Sequence, residues 1–354
     1  MTKLFHIVCT GGGSMGHIFP AVAVMQEVKK LRPDVRISFI TSTRKEEQEL
    51  LQQEGAVHAI HAPKSPRGLS LRWILFPLLF PVAICESFFL LLRDRPSVIF
   101  SKGGFVSVPV CLAAWVLRIP LVLHESDSVM GMGNRFIAQL ATVICTGFPL
   151  GGRAIRTGNP VRPFIAHGSR EEGKRITGFS EDRPVILVTG GSQGAKAINE
   201  AIAFHSASLL RMADIMHLTG EGKSGASVMD PHYWVKPYVT HELPHLYALA
   251  DLVITRAGAG SLSELAFLSK PALVIPLEGV AHNHQVKNAE ILEQSGAIAA
   301  LPQSSLSTLS THVQQLISDG ARLEQLGERL HAIFPQDAAV RIAKVLLDTL
   351  KTAE

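Results

Sequence analysis

The sequence predicts an α/β protein of two Rossmann-like, doubly wound parallel-sheet domains that face each other across a cleft. Three observations carry this. The chain has 354 residues, more than one hydrophobic core usually serves, so two domains are expected. Apolar runs alternate with helix-like stretches, the pattern of parallel strands joined by right-handed helical crossovers. Two glycine-rich turns, Gly11-Gly12-Gly13-Ser14-Met15-Gly16 and Gly190-Gly191-Ser192-Gln193-Gly194, each close an apolar strand and open a helical segment. Such a turn lets backbone N–H groups approach a phosphate closely.

In the first half, strands are expected at 4–10, 36–41, 97–101, 120–124 and 142–146, with helices at 16–31, 44–54 and 107–117. In the second, strands are expected at 184–189, 214–219, 235–239, 251–255, 272–276 and 297–301. Helices at 195–210, 260–268 and 283–294 lie between them. Residues 161–183 are polar, rich in charge and glycine, and without periodicity, so they read as the linker. The domains are then 1–160 and 161–336, and an amphipathic helix within 337–354 packs back on the first.

Hydrophobic content of 47% against 18% charge excludes a disordered chain. The four cysteines are scattered with no Cys-x-x-Cys spacing, so buried thiols in a reducing compartment are expected, not a disulfide frame or zinc. The N-terminus shows no signal-peptide pattern. Through Pro160 there are 17 Lys/Arg against 10 Asp/Glu, and beyond it 17 against 20. The first half is therefore the one that meets an anionic ligand or surface. Nucleic acid is not expected: no dense basic run or nucleic-acid motif occurs.

One stretch breaks the pattern. Residues 71–92 are apolar almost throughout, and Lys64, Arg67, Arg72, Arg93 and Arg95 flank them. A spanning helix needs about 20 apolar residues, so the length is marginal. Glu86, Pro77 and Pro81 argue against a span. Two readings stay open: a buried helix of the first domain, or a helix that dips into the bilayer interface with its arginines on anionic headgroups.

The first turn has the Gly11-x-Gly13-x-x-Gly16 spacing of a dinucleotide site. That fingerprint wants an acid after the second strand for ribose. The strand instead ends Thr41-Ser42-Thr43-Arg44, which leaves an NADP-dependent oxidoreductase as one alternative. His17 opens the next helix, as a plain hydrogen-bonder or as a general base, since a helix N-terminus disfavours the imidazolium. Pro20 reads as a first-turn proline. His124-Glu125-Ser126-Asp127 ends a strand at the edge where open α/β sheets bind ligands, or is a helix-capping loop. Asn134 is placed to cap the next helix and counts among the substrate-binding candidates. Ser101-Lys102-Gly103-Gly104 is a further strand-to-helix turn.

In the second half, Arg256-Ala257-Gly258-Ala259-Gly260-Ser261-Leu262-Ser263-Glu264 puts small residues at a helix start, exposing N–H groups to a diphosphate. Glu264, one turn in, suits ribose hydroxyls or is an ordinary first-turn carboxylate. The Asn-, Gln- and His-rich loop from Pro276 to Ala289 suits sugar hydroxyls. His282 and His284 lack a third ligand, so no metal is expected.

Seven motifs in order are specific together. They are the first turn with His17 and Pro20; Gly103-Gly104-Phe105-Val106-Ser107-x-Pro109; His124-Glu125; and Gly158-Asn159-Pro160-Val161-Arg162. Gly190 to Ala195, Arg256-x-Gly258 through Glu264, and Asn283-His284-Gln285 through Asn288-Ala289 complete the set. Over nearly its whole length the chain resembles the MurG family of bacterial N-acetylglucosaminyltransferases, glycosyltransferase family 28. The resemblance implies a GT-B fold and inverting transfer of N-acetylglucosamine from UDP-N-acetylglucosamine to the C4 hydroxyl of lipid I, giving lipid II, without a cofactor. It implies that Ser14, Met15 and Gly16 face the acceptor diphosphate and donor sugar, and that Asp127 takes a sugar-contacting place. Arg162 and Ser192 would meet the donor diphosphate, Val239 the uracil through its backbone, and Gly258, Ala259, Gly260, Ser261, Leu262 and Ser263 the diphosphate. Glu264 would hold the ribose, and His284 and Gln285 the sugar hydroxyls; Arg256 belongs to the same set. It also implies a peripheral seat on the cytoplasmic face of the plasma membrane through residues 64–95, on its anionic surface, with cell-wall synthesis and division proteins as partners.

The chain departs from that family in three places. Ser14 and Met15 replace Thr-Gly, so Met15 is expected to cost backbone freedom. Ser126-Asp127 replace Gln-Asn, adding an anion near a diphosphate, and Phe105 stands for a common Tyr. His17 is the expected base for direct displacement, with Glu125 or Asp127 as rival or orienting partner. The alternatives are the NADP oxidoreductase, a different UDP-sugar or lipid acceptor, and a binding protein that never turns the nucleotide sugar over.

Overall fold

The computed structural model describes residues 5–13, 15–63, 72–179, 183–191, 194–223, 228–279 and 283–352. Its contacts divide the chain into two units, Met1–Val161 with Asp337–Glu354, and Arg162–Gln336.

The first unit holds β1 (His6–Gly11), α1 (Met15–Leu31), β2 (Arg36–Thr41), α2 (Lys45–Gln52), β3 (Ala56–Ala59) and α3 (Arg72–Asp94). β4 (Val98–Gly103), α4 (Ser107–Val116), β5 (Leu121–Glu125), α5 (Met132–Leu140), β6 (Val143–Thr146) and β7 (Ile155–Arg156) follow. All strands pair in parallel in the order β3-β2-β1-β4-β5-β6-β7. Ile7, Cys9, Phe39 and Phe100 pack into one core, and Val8, Ile40 and Ile99 into another, as alternation across a sheet requires. With both faces covered, the strands read as unbroken apolar runs. The late helix α13 (Ala338–Thr352) completes the first core: Ile342, Leu346 and Leu350 join Ile18, Val24 and Val28 of α1. Between β1 and β4 the register slips. Thr10 faces Ser101 and Gly11 faces Gly103, so Lys102 is the extra residue of a bulge.

The second unit runs α6 (Arg170–Thr177), β8 (Val185–Thr189), α7 (Lys196–Leu210), β9 (Asp214–Leu218), β10 (Tyr233–Lys236), α8 (Leu243–Leu249) and β11 (Leu252–Thr255). Then come α9 (Ala259–Phe267), β12 (Ala272–Val274), α10 (His284–Gln294), β13 (Ala299–Ala300), α11 (Leu309–Ile317) and α12 (Gly320–Ile333). Its strands are parallel in the order β10-β9-β8-β11-β12-β13. Both sheets reverse their direction of growth, at β1/β4 and at β8/β11. Ligands of open α/β sheets bind at the strand C-terminal ends beside such points.

Residues 161–183 are not a bare linker. Pro163–His167 form a 3₁₀ turn, and Ser169 caps α6, its hydroxyl accepting the Glu172 N–H at 3.2 Å. Gly173 lets α6 lie against α8, since a Cβ there would stand 2.6 Å from the His245 carbonyl. A short helix packed through glycine leaves little apolar periodicity to read. β10 starts two residues before the expected strand, which leaves Val239 in the following loop. β3 and β7 are short edge strands that the pattern does not announce. Pro20 is the sixth residue of α1, not a first-turn proline, and deprives the Gly16 carbonyl of its helical donor.

α3 is amphipathic in reverse. Ala83, Ser87 and Leu91 are buried, while Leu78 and Phe89 are each 66% exposed, with Val82 and Leu92 beside them. Phe76–Asp94 is long and apolar enough to cross a membrane, and 17% of it is buried. The buried-helix reading therefore holds for one face only. Glu86 is occupied away from the apolar stripe, accepting the His61 N–H and Nδ1–H, both at 2.8 Å. Lys64 and Arg67 lie outside the described residues.

Candidate active site

At the switch point of the first unit, β1 runs into Gly11-Gly12-Gly13. The Gly13 N–H donates to Glu47 Oε1 at 2.8 Å. The Thr41 and Ser42 hydroxyls donate to Glu47 Oε2 at 2.9 and 2.7 Å. Glu47 is 2% exposed, so a carboxylate of the chain itself fills the anion position under this turn. Arg44, the residue suited to an NADP phosphate, donates instead to the Gly13 carbonyl at 3.2 Å.

His17 lies in the first turn of α1, half-buried. Its Nδ1 is 3.3 Å from the Lys102 carbonyl. A carbonyl only accepts, so Nδ1 carries the proton and Nε2 the lone pair. Gly104 keeps room beside that nitrogen: a Cβ there would stand 3.5 Å from Nε2. Burial, then the Lys102 ammonium, push the imidazole pKa down to about 4. His17 is thus neutral at pH 7 and able to accept a proton.

Glu125 ends β5 and is 4% exposed. Its Oε1 accepts the Asp127 N–H at 2.9 Å and its Oε2 accepts Asn134 Nδ2–H at 2.8 Å. Burial raises its pKa against the pull of these donors. Each oxygen holds one donor, so Glu125 shapes the loop. Asn134 does not cap α5, whose N-cap is Gly131; it ties α5 to Glu125. Asp127 is half-buried beside them. The Ser126 carbonyl accepts Asn159 Nδ2–H at 3.1 Å, and the Ser126 hydroxyl accepts from Lys102 Nζ. His124 is fully buried, its Nε2–H donating to the Gly158 carbonyl at 2.8 Å, a structural role. Met15 takes helical backbone in α1, so the glycine it replaces is not needed for a positive φ.

At the switch point of the second unit, β8 ends in Gly190-Gly191. A Cβ on Gly191 would come 3.9 Å from Ser261 Oγ, so this turn and the start of α9 are neighbours. Gly258 is the N-cap of α9, and neither it nor Gly260 would meet an atom of the described residues within 4 Å if given a Cβ. The α9 N-terminus therefore presents backbone donors and the positive end of its dipole with open access. One turn on, Arg162 Nε and Nη2 both lie 2.7 Å from Glu264 Oε1, and the Tyr247 hydroxyl donates to Oε2 at 3.5 Å. Burial works against the charge on Arg162, but the Glu264 carboxylate outweighs it and raises the guanidinium pKa.

Other expected residues have only their backbone to offer a ligand, or have their side chains engaged within the protein. Leu262 is fully buried, Ala259 is 5% exposed, and Ser263 Oγ donates to the Ala259 carbonyl within its own helix at 2.8 Å. Val239 likewise buries its side chain. Arg256 Nη1 donates to the carbonyls of Ile275 and Pro276 at 3.1 and 3.2 Å, and Nη2 to Gln303 Oε1 at 2.7 Å. Its guanidinium fastens the loop after β12 instead of standing open to substrate. Gln285 Oε1 accepts the Leu277 N–H at 3.0 Å, and Asn288 Nδ2 donates to the Ala257 carbonyl at 3.0 Å, which sets the His284 end of α10 beside α9. Ser14, Ser192 and His282 lie outside the described residues.

Glu47 and Tyr247 join the site without being expected there, and Lys102 is expected only as part of a glycine turn. Lys102 does leave a signal, a lysine ending an apolar strand just before two glycines. Glu47 leaves none, because Lys45-Glu46-Glu47-Gln48-Glu49 looks like a solvated helix face.

Residues 7–146 match the glycosyltransferase family 28 N-terminal domain, and residues 185–342 its C-terminal domain. A Clostridium kluyveri protein is 36% identical over 309 residues, 85% of this chain and 87% of its own. A Bacillus cereus protein is 34% identical over 356 residues, 98% and 99% of the two chains. Their names describe UDP-N-acetylglucosamine–N-acetylmuramyl-(pentapeptide) pyrophosphoryl-undecaprenol N-acetylglucosamine transferases. The crystal structure of Acinetobacter baumannii MurG superposes with a TM-score of 0.75 over 97% of this chain and 99% of its own, at 23% identity. The kitacinnamycin glycotransferase reaches the same TM-score at 17% identity, over 98% and 100% of the chains. These two likenesses speak for the fold, a GT-B pair of parallel-sheet domains. The family matches and the named relatives leave the NADP oxidoreductase reading without support. With both halves matched and relatives that span nearly all of it, the chain belongs to glycosyltransferase family 28.

Proposed function

We propose that this enzyme moves N-acetylglucosamine from UDP-N-acetylglucosamine to the C4 hydroxyl of lipid I, inverting the anomeric carbon and giving lipid II. The observation that carries this is the family match in both halves, together with relatives named for that transfer. The donor is assigned to the second unit. Its diphosphate sits on the N–H groups of Gly258 to Ser261, joined by Ser192; Glu264 takes the ribose, backbone at Val239 the uracil, and His284 with Gln285 the sugar hydroxyls. Ribose hydroxyls then displace Arg162 from Glu264, and the guanidinium turns to the diphosphate. Donors held ready for a developing charge are worth a few kcal/mol in the transition state.

The acceptor is assigned to the first unit, along Ser14, Met15, Gly16 and Asp127. The C4 oxygen attacks the anomeric carbon, the bond from that carbon to the UDP oxygen breaks, and His17 Nε2 takes the hydroxyl proton. Glu125 and Asn134 hold the loop that carries Asp127. The outward apolar face of α3, ended by Arg93, supports a peripheral seat on the cytoplasmic membrane surface, where lipid I is embedded. Leu78, Val82 and Phe89 changed together to serine are expected to free folded protein from anionic vesicles. Undiminished vesicle binding would leave α3 with an internal role only.

The decisive measurement is UDP release from UDP-N-acetylglucosamine with and without a lipid I analogue. Release that needs the acceptor is expected. Tight nucleotide-sugar binding with no release would make the chain a binding protein.

A further inference from the structure

Lys102 is a buried cation that the transfer step above leaves unused. It is 1% exposed. As the extra residue of the β4 bulge it is re-aimed out of the strand's alternation. Its Nζ reaches the Ser126 hydroxyl, while its own carbonyl takes the Nδ1 proton of His17 at 3.3 Å. Gly11 makes room for the stem, since a Cβ there would stand 3.3 Å from Lys102 Cβ. One residue therefore touches both the expected base and the loop that carries Asp127. An apolar side chain of the same length would fill this space without the cost of burying an ammonium. The charge itself is what the position uses.

The groups in its field come from every neighbouring element. Glu125 ends β5 and Asp127 follows it, Cys9 lies on β1, His17 on α1 and His124 on β5. Glu47 of α2 acts on His17 in turn. Glu125 pulls on the ammonium most strongly and Asp127 next, so the buried charge is balanced by the two carboxylates at the end of β5 together.

We propose that Lys102 is a positioning residue for sugar transfer: its carbonyl fixes the ring of His17, and its ammonium locks the Ser126–Asp127 loop. This rests on the transfer reaction assigned above. Burial brings the ammonium pKa down to about 8 against the pull of Glu125 and Asp127. It is charged at pH 7 and loses its charge as the pH rises past that value.

The test is Lys102→Met, which keeps stem and carbonyl and removes the charge. With UDP-N-acetylglucosamine and a lipid I analogue, kcat is expected to fall about tenfold or more while the donor KM stays within about twofold. The unchanged enzyme is expected to lose activity above about pH 8, and this limb should be absent from the variant. His17, followed by NMR, should titrate at higher pH than before, because a repelling neighbour is gone. Unchanged kcat, pH profile and His17 titration in a folded variant overturn the proposal. Should the variant not fold, the unchanged protein decides. His17 titrating near its ordinary value of about 6.5, with no alkaline limb, overturns the proposal; a depressed value with that limb supports it. If the unchanged protein releases no UDP, the transfer reading fails on its own, and the shift of His17 in Lys102→Met still decides the positioning role.

Discussion

The two glycine turns share a plan and differ in what they hold. In the first unit the Gly13 N–H is taken by Glu47 and the Gly13 carbonyl by Arg44. In the second, Gly191 stands beside Ser261, and no atom of the described residues crowds Gly258 or Gly260. A strand–turn–helix unit is a seat for an anion, but its own residues do not say whose anion. In the first unit the chain supplies it, from a residue 34 positions away. That turn becomes a stiff wall for His17. The other stays receptive, which fits a donor that must bind and leave as a diphosphate.

The contrast can be broken in several ways. The largest effect expected is that of His17→Ala, a fall in kcat of at least ~10² with UDP affinity kept; a loss of only a few-fold would hand the proton to Glu125 or Asp127. Next is Glu264→Ala, for which the donor KM should rise about tenfold, equal to about 1.4 kcal/mol. An unmoved KM would remove the ribose from Glu264. Glu47→Ala strips the first turn of its internal anion and leaves the Gly13 N–H and two buried hydroxyls unmatched. A stability loss of about 1–3 kcal/mol is expected, read by thermal melting, with UDP binding by calorimetry unaffected. Weaker UDP binding in this variant would mean that the two turns do not act separately.

The last effect is on pH. His6, His17, His124 and His217 are all held below their ordinary pKa, first by burial, and His17 and His217 reach about 4. Below about pH 6.5 the unfolded chain binds protons that the folded chain refuses. Stability is therefore full above that pH and drains away as the pH falls toward 4. Melting temperatures at pH 7.5 and 5 measure this; equal values would mean that these rings are not shut in. The acid limb of kcat/KM should likewise lie well below 6.5 if neutral His17 is the base.

Most of the architecture is legible because both faces of each sheet are covered, so strands stand out as apolar runs between helical patterns. What escapes is whatever depends on a distant partner. Asn134 looks like a cap until Glu125 claims it, and Arg256 looks like a phosphate ligand until Gln303 and two carbonyls take its guanidinium. Met15 looks costly until its backbone proves helical. α6 escapes because its contact with α8 is made by Gly173, which carries no hydrophobic signal. Glu264 is legible by position, but its pairing with Arg162, 102 residues away, is not.

α13 has a consequence for how the molecule is born. Ile342, Leu346 and Leu350 seal a core whose other members begin at Ile7. A ribosome therefore releases the first sheet long before its covering helix, and all of Arg162–Gln336 is synthesised in between. Until then, part of the apolar face of α1 waits for its partner, a contact of very long sequence separation and a natural point of delay and aggregation. The part of the enzyme begun first is finished only after the other unit has been made. A nascent chain stopped short of α13 would carry an uncovered patch by which quality control can recognise it.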